Sequence, residues 1–147
     1  MGESISTTCR YCGDVVDHCL GIGMSQMRLD VGNAPMVGEE DRFSFHHSIK
    51  DVISPEELAY LQSLDLQDVN DLSYSSILYA CPRCETLSVH VHVRFQYDGF
   101  KIYEVTHRCK SCQSRLNAVS KDISEYRCAQ CGSKALVKDE HRKIMWD

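Results

Sequence analysis

The clearest pattern in the chain runs from Ser88 to His107, where Val89, Val91, Val93, Phe95 and Tyr97 alternate with polar residues before reaching Asp98-Gly99. A period of two marks a half-buried strand, and Asp-Gly between two strand-like runs is a strong hairpin signal. If Asp98-Gly99 is a two-residue turn, Tyr97 faces Phe100, Phe95 faces Ile102 and His90 faces His107. Continuing that ladder sets Ser88 opposite Cys109 and Glu85 opposite Cys112. A second pattern begins at Ser54-Pro55-Glu56-Glu57, which offers an N-cap, a proline at the first helical position and acids in the first turn. It predicts a helix near 55–64 with Leu58, Leu61 and Leu64 as its buried stripe.

Apolar material continues through Leu66, Val69, Leu72, Ile77 and Leu78, and Phe43, Phe45 and Ile49 are expected to join the same core. Gly21, Gly23, Gly32, Asn33, Pro35 and Gly38 punctuate the preceding stretch and predict loops with short strands such as Met27-Arg28-Leu29. Gly21-Ile22-Gly23 is no phosphate loop, because the third glycine and the Lys-Ser/Thr pair are missing.

Composition narrows the class. At 147 residues, 43% hydrophobic and 25% charged, the chain has the make-up of one globular domain. No apolar run approaches the roughly 18 residues of a membrane helix, and Met1 to Ser6 shows no secretory pattern. An intracellular location, cytoplasm or nucleus, is therefore expected. Charge is uneven: residues 1–80 hold 4 Lys/Arg against 13 Asp/Glu, a net of −9, while residues 81–147 hold 12 against 8, a net of +4.

A reducing compartment turns the cysteines toward metal chemistry rather than disulfides. Eight of the 9 cysteines form C-x-x-C pairs: Cys9/Cys12, Cys81/Cys84, Cys109/Cys112 and Cys128/Cys131. Each such turn offers two thiolates, and two turns complete a tetrahedral zinc site, so two Zn2+ per chain are expected. The hairpin ladder favours a nested pairing, with Cys81, Cys84, Cys109 and Cys112 in one site and Cys9, Cys12, Cys128 and Cys131 in the other. A sequential pairing stays open, joining Cys109/Cys112 to Cys128/Cys131 and Cys9/Cys12 to Cys81/Cys84. A faint repeat speaks for it, since Arg108-Cys-Lys-Ser-Cys-Gln-Ser114 is like Arg127-Cys-Ala-Gln-Cys-Gly-Ser133.

The run Cys81-Pro-Arg-Cys84, strand, Asp98-Gly99, strand, Cys109-Lys-Ser-Cys112 resembles a zinc ribbon, the fold group found in transcription and translation proteins. The resemblance covers residues 80–116 and points to no single family. Glu85 and Gln113 depart from it, because glycine often follows the second cysteine, as Gly13 and Gly132 do. Ribbons that stimulate transcript cleavage carry two acids at the hairpin tip, and this tip has only Asp98, so that activity is not implied.

Other candidates carry weaker chemistry. Cys19 or His18 could replace a ligand in the N-terminal site, although a lone cysteine is more often a small buried hydrophobe. His90, His92 and His107 are expected on one sheet face with Arg94 beside Tyr103, a surface able to stack on bases or stay simply wet. No carboxylate is evidently placed to orient those rings for a metal. His46-His47 is read as surface or packing. No nucleophile and base form a catalytic set, so an enzyme is not expected.

These readings predict an α+β, zinc-stabilised single domain over 1–147. It comprises an N-terminal knuckle (1–19), an acidic insert with a helix (20–80), a zinc ribbon (81–116) and a C-terminal knuckle and tail (117–147). The expected function is a non-enzymatic regulatory protein that binds nucleic acid or a nucleic-acid-associated complex. Arg83, Arg94, Lys101, Arg108, Lys110 and Arg115 would form its basic face. Two alternatives are a protein-interaction adaptor or inhibitor that uses zinc as scaffold, and a thiol-disulfide or metal-handling enzyme.

Overall fold

A computed structural model describes residues 2–21, 28–30, 46–48, 53–64, 69–140 and 145–146. Its backbone is mostly antiparallel sheet, with one α-helix among the described residues, so the helical part of the α+β architecture is small. None of the described helices is long and apolar enough to cross a membrane. Phe43, Phe45, Ile49 and Leu66, expected in the core, lie outside the described residues.

The sheet is assembled from two hairpins whose turns are cysteine knuckles. Strand β1 (Gly2–Cys9) pairs with β2 (Val15–Gly21), from Thr8 opposite Val15 to Gly2 opposite Gly21. After two short parallel-paired strands, β3 (Arg28–Asp30) and β4 (His46–Ser48), comes helix α1 (Pro55–Gln62). Strand β5 (Asn70–Ala80) then pairs with β6 (Leu87–Tyr97), starting at Ala80 opposite Leu87. The two hairpins join where Gly21 of β2 meets Ser76 of β5.

Each hairpin acquires a third strand from a later knuckle. Strand β8 (Asn117–Ala118) follows Cys109/Cys112 and pairs with β5, while β9 (Leu136–Asp139) follows Cys128/Cys131 and pairs with β1. The units β8-β5-β6 and β9-β1-β2 therefore share one plan, and the first is inserted between the hairpin and third strand of the second. Strand β10 (Met145–Trp146) extends the outer unit on β1.

Strand β7 (Lys101–Glu104) corrects the expected register. Tyr97 pairs with Lys101, Phe95 with Tyr103 and Arg94 with Glu104, so the loop holds three residues, Asp98, Gly99 and Phe100. Asp98 and Gly99 take left-handed φ values of 51° and 81°. A one-residue slip exchanges the faces of a strand, and packing decides between the alternatives. The observed register buries Tyr103 (4% exposed) against Phe95, with ring centroids 4.9 Å apart, and leaves Ile102 (51%) and Phe100 (81%) in solvent. Arg94 consequently lies across from Glu104 rather than beside Tyr103.

The helix starts as its sequence dictates, with Ser54 Oγ accepting a hydrogen bond from the Glu57 amide at 3.2 Å. Leu61 and Ile53 pack with Val93, Phe95, Tyr97, Tyr103 and Val105, and Leu58 and Leu64 border this cluster. The Tyr103 hydroxyl donates to the Glu57 carboxylate at 2.8 Å, tying α1 to β7. Two further clusters surround the cysteines, one with Tyr126 and Leu136 and the other with Tyr79 and Leu116.

Candidate metal centres

All four knuckles make the same turn. The amide four residues after the first cysteine donates back to that cysteine's carbonyl: Gly13 to Cys9, Glu85 to Cys81, Gln113 to Cys109 and Gly132 to Cys128, at 2.8, 2.8, 2.9 and 2.8 Å. The first cysteine's own amide donates to the carbonyl of Asp14, Thr86, Ser114 or Ser133 in turn. The closing residue is left-handed in every case, with φ of 77°, 59°, 61° and 75° for Gly13, Glu85, Gln113 and Gly132. Glu85 and Gln113 thus adopt the glycine conformation in spite of their side chains.

The nested pairing is the one formed. Cys81, Cys84, Cys109 and Cys112 make the inner set, and Cys9, Cys12, Cys128 and Cys131 the outer set, each with its sulfurs within 4.8 Å of one another. Inner contacts include Cys81–Cys112 at 3.4 Å and Cys84–Cys109 at 4.0 Å, and outer ones Cys9–Cys131 at 3.6 Å and Cys12–Cys128 at 3.7 Å. Four sulfurs each about 2.3 Å from one metal lie about 3.8 Å apart in a tetrahedron. A disulfide would need about 2.05 Å. Each set can therefore hold one metal ion, and soft thiolates suit a metal such as zinc.

Hydrogen bonds, burial and crowding split the thiols of each set. The Ser133 hydroxyl and the Cys12 amide, working against burial, lower Cys9 to about 6. Cys12 is pulled down by the Asp14 amide, yet burial and the sulfurs of Cys131, Cys9 and Cys128 outweigh it and push the thiol up to about 12. In the inner set, hydrogen bonding with Cys112, then burial, raises Cys84 to about 12. The Ser114 hydroxyl and amide lower Cys112 to about 6. Four crowded sulfurs cannot all ionise unaided, and a dication is the group that allows them to.

The faint repeat acquires a physical meaning here, which is not a shared site. Arg-Cys-x-x-Cys-x-Ser is the second knuckle of each set. Arg108 Nη1 donates to the Gln113 carbonyl at 3.1 Å, and Arg127 Nη1 to the Gly132 carbonyl at 3.0 Å. Ser133 Oγ lies 3.3 Å from Cys9 Sγ and 3.0 Å from Cys131 Sγ. The repeat was thus the available signal for Ser114 and Ser133, which support the ligands without being ligands.

His18 and Cys19 belong to neither set. His18 is buried, with Nε2 3.0 Å from Thr7 Oγ1, and Cys19 is exposed rather than a small buried hydrophobe. The histidines of β6 do gather, although not as a metal site. His90 stacks on His107 with centroids 4.7 Å apart, and Tyr79 packs edge-on against both. Contrary to the sequence reading, a carboxylate does orient one ring: Glu104 lies 3.3 Å from His92 Nε2, leaving Nδ1 to accept from the Tyr79 hydroxyl at 2.8 Å. Burial of Tyr79 and His107 leaves little open aromatic face for a base to stack on.

The six expected basic residues divide into two groups. Arg83 and Lys110 are exposed within the two inner knuckles, and exposed Arg108 and Arg115 form a bridge beside them. None of these four makes an ion pair among the described residues. Arg94 and Lys101 sit on the distant hairpin near acids, with Lys101 Nζ 3.3 Å from the Asp98 carboxylate. Compared with protein-family models, curated proteins and solved structures, the chain matches none of them.

Proposed function

We propose that this is a non-enzymatic regulatory protein, folded around two zinc ions, that binds nucleic acid through the inner zinc-ribbon unit. The observation that carries this reading is the exposed group Arg83, Arg108, Lys110 and Arg115 at one end of the sheet, unpaired with acids among the described residues. Phosphates are bound by such clusters with little need for shape. Both four-cysteine sets are closed, which favours a scaffold role over catalysis, since a catalytic zinc keeps one position open.

The test is binding of zinc-loaded protein to labelled single- and double-stranded RNA and DNA across a salt series. Four phosphate contacts on duplex DNA predict a slope of log K against log salt of about −3.6, and an Arg83→Glu/Lys110→Glu variant should flatten it by about 2. Arg94→Glu/Lys101→Glu should change it less, because Lys101 already faces the Asp98 carboxylate and Arg94 lies on the strand opposite Glu104, away from the knuckle cluster. Absence of binding at low salt sinks the reading. Belief would then move to a protein adaptor, for which the groove of about 340 Å³ between α1 and β7 speaks. Glu56, Glu57 and Glu104 line it beside half-exposed Tyr60 and Ile102.

A further inference from the structure

Glu85 occupies a position that glycine would fill without strain, and its side chain reaches out of its own knuckle. The carboxylate lies 2.9 Å from Arg127 Nε and 3.0 Å from Lys134 Nζ. Its carbonyl accepts from the Arg127 amide at 2.7 Å, and Thr86 and Arg127 form a parallel bridge. Arg127 and Lys134 flank the outer knuckle that carries Cys128 and Cys131. Arg127 also holds the Gly132 carbonyl that ends that knuckle, at 3.0 Å. A turn of the inner set therefore grips the second turn of the outer set through backbone and charge together.

We propose that Glu85 is a positioning residue that couples metal binding at the two sites, so that filling the inner site prepares the outer one. Chain connectivity gives the direction. Cys81 and Cys112 are 31 residues apart, whereas Cys9 and Cys131 are 122 apart. The cost of closing a loop rises with its length, so the outer site is the harder of the two to close and forms second. When the inner site holds its metal, the Cys81–Glu85 turn is fixed and presents the Glu85 carboxylate and carbonyl where Arg127 meets them. The outer site then needs to recruit only Cys9 and Cys12 to a knuckle already in place. By linkage, filling the outer site tightens the inner one by the same factor. The carboxylate and its partners are all partly exposed, so the charged part of this coupling weakens with salt.

This inference rests on the reading that both cysteine sets bind metal, and one experiment separates the two. Cadmium-113 NMR of the intact 147-residue chain gives one thiolate-site resonance per bound ion, and a Cys131→Ser variant assigns the outer one. Chelator competition then reads each site in wild type, Glu85→Gly and Glu85→Gln. Glu85→Gly restores the residue best suited to the left-handed turn while deleting the carboxylate. The expected result is a loss of cadmium affinity at the outer site, on the order of tenfold when the inner site is filled, with the inner site's affinity kept when it is read in the Cys131→Ser background, where the outer site is broken. Glu85→Gln, which keeps the shape but not the charge, should lose part of this factor. If Glu85 merely shaped its own knuckle, neither Glu85→Gln nor Glu85→Gly would change the outer site. That outcome, or an inner-site loss that persists in the Cys131→Ser background, overturns the coupling. A wild-type stoichiometry below two cadmium ions per chain overturns the metal reading and the inference with it.

Discussion

The inner and outer cysteine sets make the same turn with different surroundings. The outer knuckles end in Gly13 and Gly132, the inner in Glu85 and Gln113. Both sets bury their first cysteines, but Cys12 and Cys131 are exposed in the outer set while Cys84 and Cys112 are half-buried in the inner one. The inner set closes one β hairpin on itself, and the outer set joins the two ends of the chain. The comparison teaches that ligand geometry alone does not rank the sites. Chain separation and exposure do, and both point to the inner unit as the foundation, while the non-glycine residues at its left-handed positions work against it.

The largest expected effect breaks that order directly. Cys109→Ser removes a buried inner ligand, and a structural four-thiolate site contributes on the order of 10 kcal/mol of apparent folding energy. Both units should lose their amide-exchange protection. Cys131→Ser should unfasten β1, β9 and β10 and leave the β5–β6 hairpin and α1 protected. Equal collapse in both variants would remove the distinction between foundation and dependent unit.

A milder test keeps every ligand. When metal is withdrawn slowly with a chelator and thiols are trapped by alkylation, Cys12 and Cys131 should be modified before Cys84 and Cys112. Peptide mass spectrometry reads the order. Simultaneous modification of all four would mean that the sites open as one.

Much of this plan is legible in the chain because C-x-x-C spacing and the Ser54-Pro55-Glu56-Glu57 start depend on local chemistry alone. The nested pairing also follows from the hairpin, although its register was one residue off. A two-residue turn at Asp98-Gly99 satisfies the local turn preference, and only burial of Tyr103 and Val105 against Val93 and Phe95 selects the three-residue loop. Strands β1 and β5 are harder to see because hydroxyl and small residues occupy their inward positions. Ser4, Ser6, Thr7 and Ser76 are buried, with Ser6 Oγ donating to the Asp17 carboxylate and Thr7 bonded to His18. A hydrophobic pattern cannot register strands stabilised by cross-strand polar pairs. Likewise, Glu85 reads as a departure from the knuckle pattern until its partners Arg127 and Lys134, far along the chain, are brought beside it.

The left-handed positions allow a reciprocal substitution with a smaller effect. No atom lies within 4 Å of a Cβ added at Gly132, so Gly132→Ala tests conformation without a clash. It should destabilise the metal-loaded protein by about 1 kcal/mol, while Gln113→Gly should be neutral or stabilising by up to about 1 kcal/mol. Thermal denaturation at fixed metal concentration compares them. If both substitutions destabilise, the Gln113 side chain contributes more than its left-handed backbone costs.

The smallest effect concerns His18 on β2, in the outer unit and away from the cysteine ligands. Burial lowers its pKa below the ordinary histidine value, against a weaker upward pull from Asp17. A depressed folded-state pKa means that the unfolded chain binds the extra proton first. The stability carried by neutral His18 is therefore complete above about pH 6.5 and is lost as the pH falls from there through the lowered value. An NMR titration of the His18 ring should give a midpoint below about 6.5. Stability measured between pH 7 and that midpoint should fall less in a His18→Gln variant than in the parent, and the glutamine amide can still reach Thr7. A His18 midpoint above the ordinary value would show that Asp17 outweighs burial. The outer unit would then gain stability on mild acidification, before the cysteine ligands begin to lose their metal.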